Sequence, residues 1–417
     1  MNNGSPVAGR LVAIVCTAQV LVQIGAYFWP ALLPGLVDRW ALTYTEAGWI
    51  TAVFYGAYMV SVPVLVTLTD RIDPRRIYLL GVGLTIAGHM YFGFAADGFW
   101  SAIVGRVLAG IGWAGTYMTG LKLLADQVDD RMMSRAVASH AAGIGVAGAL
   151  SFATGDLIAH LAGWQSAFLA AGASAALAWA MVAIAVPGRG AAPAPSARDG
   201  GKLFDFRPVF RNRSAMAYAL AYCVHTLEMN ALRGWAVAFL VYVAASTGMT
   251  DSPMAPTLVA TGLALLGTAA SVVGNEAAIR FGRRRLIHAA MAGSIAIAVT
   301  LALAGTTSYT VAAALLMMYG AVIWLDSSSL TAGAAGTAEP SRRGATLAVH
   351  STLGYAGGFV GPLAIGWVLD LSGGMSPAAW AAAFLLVASL MLVALAAFWL
   401  MRPLELAGDR GLVSREG

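Results

Sequence analysis

Long apolar runs alternate with short polar breaks along this chain, and the runs share one length. A helix needs about 20 mostly apolar residues to cross a hydrocarbon core of about 30 Å. Windows meeting that test begin near Leu11, Gly48, Ile77, Phe99, Ala136 and Ser166. A second set begins near Ala215, Pro256, Leu286, Tyr309, Ala345 and Pro377. The pattern predicts about twelve spans, six on each side of one polar break. All are predicted as helices, because an open strand leaves its backbone polar groups unpaired in lipid. The break, GRGAAPAPSARDGGKLFDFRPVFRNR over residues 188–213, is rich in Pro, Gly, Ala and basic residues, which predicts an exposed linker. The expected fold class is an all-α polytopic membrane protein. Its expected parts are a six-helix bundle over residues 1–187, the linker, and a second bundle over 214–417 that ends in a short tail.

Composition supports the membrane reading. Of 417 residues, 59% are hydrophobic and only 11% charged, against roughly a quarter charged in a water-soluble domain. The formal charge of +5 does not point to nucleic acid, because the basic residues sit in short clusters between apolar runs. One set of loops holds Arg71, Arg75 and Arg76; Arg131 and Arg135; the linker; Arg280 and Arg283 to Arg285; and Arg342 and Arg343. The alternating set holds Arg39 and almost nothing else. This asymmetry predicts a multi-pass protein of the cytoplasmic (inner) membrane with both termini and the linker cytoplasmic. The first run is expected to be a retained span rather than a cleaved leader. Cys16 and Cys223 both lie in apolar runs without a CxxC spacing and are read as packing residues.

Two stretches match GxGxxG, GIGWAG from Gly110 and GIGVAG from Gly143. Neither follows a strand, so the expectation is close helix packing rather than nucleotide binding. Gly354, Gly357, Gly358 and Gly361 repeat that logic in the eleventh span. The halves also align by residue type. DRIDPRR from Asp70 falls opposite IRFGRRR from Ile279, and His140 opposite His350. On nearly the same offset Gly25 meets Gly234, and Gln19 meets Glu228. Duplication of this kind places a site between halves near the membrane midplane.

With these residues in view the chain resembles the major facilitator superfamily over essentially its whole length, and more distantly bacterial permeases of the cyanate and nitroimidazole type. The family pattern after the second span, Gly-x-x-x-Asp-Arg-x-Gly-x-Arg-Arg, appears as VTLTDRIDPRR, matched at Asp70, Arg71, Arg75 and Arg76, with Val66 and Asp73 replacing the glycines. The fourth-span arginine followed by spaced glycines matches Arg106 in GRVLAGIGWAG. The fifth-span Gly-Pro antiporter motif is missing from GIGVAGALSFATG, and a related GGFVGP stands in the eleventh span. The resemblance implies alternating access by two bundles around a central cavity. It implies a cytoplasmic gate at Asp70, Arg71, Arg75 and Arg76 and, in the second half, at Arg280 and Arg284. There Ile279 replaces the acid, with Asn275 and Glu276 one turn earlier, so the second latch is altered. The competing reading is that these arginines only set topology.

Four ionisable residues within spans carry the remaining chemistry. A charged side chain at the bilayer centre costs roughly 2.5–3.5 kcal/mol, so Arg106, Glu228, Arg233 and Asp326 facing lipid would cost on the order of 10–14 kcal/mol together. They must face the bundle interior, a wet cavity, or one another. Glu228 lies near the middle of its span, where desolvation penalises the ionised form, which suits a proton carrier. The alternative is a structural hydrogen bond between helices. His225, three residues earlier on the same face, is a partner or relay; His225-x-x-Glu228 as a metal site lacks convergent ligands. Arg233 sits about 140° around the helix from Glu228 and cannot pair with it unless the helix breaks, with Gly234 the place for a break. It either grips an anionic substrate or pairs with a charge. Asp326 is a second titrating group or a partner for Arg or His on a neighbouring helix. Arg106 resembles the family arginine linked to proton coupling, with a structural role as the alternative.

Gln19, Gln23 and Tyr27 share one face of the first span. They are expected either to line a cavity, with Asn230, Arg233, Trp235 and His350 as further substrate contacts, or to bond neighbouring helices. Thr43-x-x-Glu46 predicts a capping box opening the second span. The functional expectation is a secondary transporter, not an enzyme. It is expected to be proton-coupled and to move a small anionic or amphipathic organic solute. Expected partners are the solute, protons and lipid, with no nucleic acid, no cofactor and a monomeric state; no phosphate-binding loop for ATP is present in the sequence. A facilitative uniporter with structural buried charges, or a non-transporting sensor, are the rival readings.

Overall fold

The computed structural model describes residues 4–69, 71–125, 127–128, 130–188, 206–249 and 254–411. Among them every regular element is a helix and no strand occurs. Eleven helical stretches are long and apolar enough to cross a membrane. The expected span not among them is the fourth, which begins near Phe99 and is interrupted at residues 115–116.

In the first half the helices are α1 Gly4–Gln23, α2 Phe28–Trp40, α3 Tyr44–Leu68 and α4 Pro74–Ala95. They are followed by α5 Phe99–Ala114, α6 Tyr117–Ala125, α7 Asp130–Ala162 and α8 Trp164–Ala185. After the short α9 Arg207–Arg211 come α10 Arg213–Ser246, α11 Pro256–Phe281 and α12 Arg283–Ala304. The last are α13 Tyr309–Ile323, α14 Ser327–Gly336, α15 Arg343–Leu371 and α16 Pro377–Met401. The predicted first, fourth and tenth spans are thus broken pairs: α1 with α2, α5 with α6, α13 with α14. Most of the predicted linker, residues 189–205, lies outside the described residues.

The chain divides into two compact units, one of residues 1–42 and 53–200, the other of residues 43–52 and 201–417. In the first unit α4 packs closely on α5 and α8. Gly81 and Gly88 face Gly112, Gly115 and Gly105 across that seam, where an added Cβ would meet backbone. In the second unit the most extensive packing is α10 on α15. A Cβ on Gly357 or Gly361 would strike the carbonyl of Cys223 or Leu227. Small residues let the two backbones approach there, as the eleventh-span glycines predict. The capping box also forms: the Thr43 N–H donates to Glu46 Oε2 at 2.8 Å, and the Glu46 N–H to Thr43 Oγ1 at 3.1 Å.

Candidate functional site

The second unit builds its polar cluster on α10. Asn212 caps this helix through Oδ1, which accepts the Ala215 N–H at 3.0 Å. The helix then runs unbroken to Ser246, passing Gly234 without interruption. Gly234 instead makes room for a neighbour, since an added Cβ would lie 3.2 Å from Thr51 and 3.3 Å from Pro362. An unbroken helix keeps His225 and Glu228 on one face and turns Arg233 away. The Arg233 guanidinium lies 4.8 Å from the Trp324 ring centroid, a favourable contact between a cation and an aromatic face.

Glu228 is 1% exposed. Its Oε1 accepts hydrogen bonds from Ser294 Oγ on α12 and from Tyr319 OH, 2.6 Å away on α13. Its Oε2 has no partner among the described residues. Glu228 lines a small cavity of about 20 Å³, roughly the room of one water molecule, whose other lining is mostly apolar, including Trp235, Phe239, Leu316, Trp380 and Phe384. Buried polar atoms are normally bonded, so a bare carboxylate oxygen beside an apolar cavity marks a place where a proton or a ligand donor would be held.

His225 does not turn to Glu228. Its Nδ1 stands 2.9 Å from Asp326 Oδ1, with both side chains almost completely buried. Asp326 occupies the break between α13 and α14, so the interruption of the tenth span is what aims the acid at α10. Tyr222 stacks on His225 at 5.6 Å and on His350 at 4.1 Å. His350 Nε2 in turn lies 3.2 Å from Thr331 Oγ1. Asn230 donates through Nδ2 to the Thr226 carbonyl at 2.8 Å and leaves Oδ1 unbonded. Trp235 donates to the Pro362 carbonyl at 2.8 Å, a tie between helices that also sets its ring in the cavity wall.

In the first unit the remaining candidates gather around the break between α1 and α2. Arg106 is 2% exposed, donates from Nη1 to the Ala26 carbonyl at 3.2 Å, and lies 4.3 Å over the Phe54 ring. A guanidinium on a carbonyl freed by a broken helix satisfies an otherwise orphaned acceptor. The Tyr27 N–H, freed by the same break, donates to Ser151 Oγ at 2.9 Å, and its ring stacks on Phe152. Gln19 Oε1 accepts from Tyr78 OH at 3.2 Å, while Nε2 stays unbonded. Gln23 is buried at 3% exposure.

Of the expected gate residues, Asp70 lies outside the described residues. Arg71 and Arg76 are exposed. Arg75 donates through Nη2 to the Ala183 carbonyl, and its N–H is capped by Asp73 Oδ1 at 2.9 Å. In the second half, Arg280 lies 5.4 Å from the Phe281 ring, and the Arg284 N–H donates to Glu405 Oε1 at 3.3 Å. The buried arginine there is Arg283, which binds Asp409 in bidentate fashion. Arg283, Asp409, Ser294 and Tyr319 were not among the sequence candidates. The three arginines in a row at Arg283 to Arg285 look alike in sequence, and only burial separates them.

Comparison with known proteins agrees with this architecture. Over 375 residues the chain is 23% identical to the sphingosine-1-phosphate transporter SPNS2 of Xenopus tropicalis, covering 86% of this chain and 73% of that one. It is 26% identical over 241 residues to human protein spinster homolog 1, and 25% identical over 155 residues to the MFS-type transporter YbcL of Bacillus subtilis. Those two matches span 45% and 40% of the relatives' own lengths. Among solved structures, a bacterial homolog of the human lysosomal transporter Spinster, inward-facing and occupied, superposes with a TM-score of 0.77 at 15% identity, covering 95% of this chain and 97% of that one. The POT family transporter PepTSo superposes at 0.74 and 12% identity, covering 94% and 97%. The Major Facilitator Superfamily model matches residues 15–325. With helices as the only regular elements among the described residues and a family match over most of its length, the chain belongs to the major facilitator superfamily of membrane transporters.

Proposed function

We propose that this protein is a proton-coupled secondary transporter that moves a small amphipathic organic solute, anionic at its polar end, by alternating access. The observation that carries the reading is Glu228: a fully buried carboxyl with one oxygen bonded and the other bare toward an apolar cavity. A group so placed can hold a proton in one conformation and release it in another, and the His225–Asp326 pair is proposed to take part in the same coupling. Arg233, which the unbroken helix turns to a different face from Glu228, is the proposed contact for the solute's anion. SPNS2 is named for sphingosine-1-phosphate, an amphipathic anion, which supports the same class here. Arg106, Gln19, Gln23, Tyr27, Asn230, Trp235 and His350 are proposed as the further coupling and solute-facing residues. The arginine asymmetry of the loops supports an inner-membrane orientation with both termini cytoplasmic, and movement of solute and proton in the same direction fits the missing Gly-Pro motif.

The test is thermal unfolding of the purified protein against a panel of amphipathic phosphates, amphipathic carboxylates, lipophilic amines and neutral sugars at two pH values. A ligand bound only by the folded state raises the transition by mass action. Hits confined to amphipathic anions and sensitive to pH are expected; stabilisation by neutral sugars alone overturns the solute class. A second reading is favoured by one fact. Glu228 Oε1 ties α10 to both α12 and α13, which is what a structural carboxyl in a facilitative uniporter would do.

A further inference from the structure

At the basic end of the second unit the start of α10 and the end of α16 are tied together. Arg213, the first residue of α10, donates through Nη2 to the Leu400 carbonyl at 2.7 Å. That carbonyl lies in the last turn of α16, where the helix itself supplies no donor. Four residues on, the Leu404 N–H donates to Ser214 Oγ at 3.1 Å, and the Leu404 carbonyl accepts from Tyr218 OH at 2.8 Å. Arg402 stands between these two ties, so the chain is pinned to α10 on either side of it. Arg211, exposed at the end of α9, lies two residues before Arg213.

Arg402 occupies a position that ordinarily takes glycine. It ends α16 with φ +45° and ψ +60°, its N–H donating to the Phe398 carbonyl at 3.2 Å. A side chain is disfavoured in that left-handed conformation, so the backbone alone does not account for an arginine there. Its guanidinium lies 5.9 Å from the Trp399 ring centroid, near the outer limit of an attraction between a cation and an aromatic face. Among the described residues neither Arg213 nor Arg402 has an ion-pair partner, and residues 206–216 and 396–404 contain no acid. The next acid, Glu405, pairs with Arg410 at 3.1 Å. Guanidinium groups held near one another without an acid repel, and an anion beside them relieves that repulsion. The side chains around them are apolar and open: Phe210, Trp399 and Leu404 are each more than half exposed, and the exposure continues down α16 through Leu400 and Val393. Trp beside Arg, with apolar surface leading away on one side, is the composition of a headgroup boundary.

We propose that this rim binds the headgroup of an anionic phospholipid, with its phosphate held by Arg213 and Arg402, further positive charge from Arg211, and its acyl chains along the outward face of α16. The planar fork of a guanidinium matches the oxygens of a phosphate. The apolar strip on α16 matches an acyl chain, which a free anion would leave uncovered. The site uses none of the residues proposed for solute or proton, so it stands or falls apart from the transport reading.

The test is thermal unfolding of the full chain in neutral detergent, titrated with phosphatidylglycerol, phosphatidylcholine or inorganic phosphate. Phosphatidylglycerol is expected to raise the transition to a plateau, as a ligand bound only by the folded state does, while the other two leave it near its starting value. R213Q and R402G are each expected to weaken the apparent affinity for phosphatidylglycerol about fivefold, and together about 25-fold. R402G also carries the folding control. Without lipid it should unfold no earlier than the parent, because glycine in the left-handed conformation offsets the lost interaction with the helix dipole. Where R213Q does not fold, R211Q combined with R402G carries the same comparison. A parent indifferent to phosphatidylglycerol overturns the site. So does a rise that the variants share in full, which would reduce the effect to diffuse attraction. An R402G protein that unfolds early yet keeps its lipid response would confine the arginine to holding the helix end and overturn the site as well. Equal stabilisation by inorganic phosphate overturns the lipid as occupant. A dimer in native mass spectra that R402G splits into monomers does the same, in favour of a second copy of the chain.

Discussion

His225 Nδ1 and Asp326 Oδ1 stand 2.9 Å apart with side-chain exposures of 1% and 3%, joining α10 to the break between α13 and α14. Removing one member of a buried polar pair leaves the other unsatisfied and costs about 1–3 kcal/mol. Asp326→Asn is expected to lower unfolding stability by about 2 kcal/mol. Adding His225→Gln should recover more than half of that loss, because two neutral amides can bond each other across the same gap. A double-mutant cycle in denaturant checks this. Additive losses within about 0.5 kcal/mol would show that the two residues are not coupled.

Glu228→Gln separates the transport role from the structural one. The Gln carbonyl can still accept from Ser294 and Tyr319, the two donors that Oε1 holds now. The stability cost is expected to stay within about 2 kcal/mol, the penalty for an amide NH₂ left unbonded in the cavity. Proton-driven accumulation of the solute in liposomes should vanish, and the dependence of downhill exchange on pH should flatten, because the titrating group is gone. Accumulation that persists with its pH dependence intact would move the coupling to another group and leave Glu228 a structural role, whereas a parent that only equilibrates its solute would support the uniporter.

The spans were legible because hydrocarbon thickness imposes one length on every crossing, and hydropathy reports length directly. The breaks after Gln23, Ala114 and Ile323 were not. At those points glycine, serine and threonine carry no signal that distinguishes a helix end from a packing surface, and Leu325-Asp326-Ser327 looks like a polar interruption of any kind. The cost of burying Glu228 and Asp326 was readable from charge alone, which is why both stood out. Their partners were not readable: Ser294 and Tyr319 are ordinary residues until tertiary contact brings them to the carboxyl. The second-half loop shows the same limit in a different form. Aligning the repeats exposed the missing acid at Ile279, but the alignment ends with the last span, and the acids lie beyond it at Glu405 and Asp409.

Glycines that let helices touch can be told from glycines that do not. In α15 a Cβ on Gly361 would meet the Leu227 carbonyl and one on Gly357 the Cys223 carbonyl, backbone atoms that cannot rotate away. Gly344, near the start of the same helix, has nothing within 4 Å of that position. Gly361→Ala is expected to destabilise by about 2–3 kcal/mol through overpacking, whereas Gly344→Ala should stabilise slightly by helix propensity, by up to about 1 kcal/mol. Thermal unfolding of the two variants reads the contrast. Equal transitions would mean that α10 and α15 separate easily enough to admit a methyl group.

The start of α3 shows how a half-buried helix end is satisfied from two directions, and this gives the last prediction. The first four N–H groups of a helix have no partner within it. The capping box answers those of Thr43 and Glu46. The next two, on Tyr44 and Thr45, are answered from α15, where Asp370 accepts the Tyr44 N–H through Oδ1 at 3.0 Å and the Thr45 N–H through Oδ2 at 2.7 Å. A carboxylate at a helix N-terminus adds about 0.3–1 kcal/mol of favourable interaction with the helix dipole to the bonds themselves. Asp370→Ala removes both acceptors and is expected to cost about 1–2 kcal/mol, with faster hydrogen exchange at Tyr44 and Thr45 alone. Asp370→Asn keeps one acceptor and no charge, so it should fall between. Because the two caps serve different donors, Asp370→Ala and Thr43→Ala should add, and a cycle showing strong coupling would mean that this helix end frays as one piece rather than being held at two points.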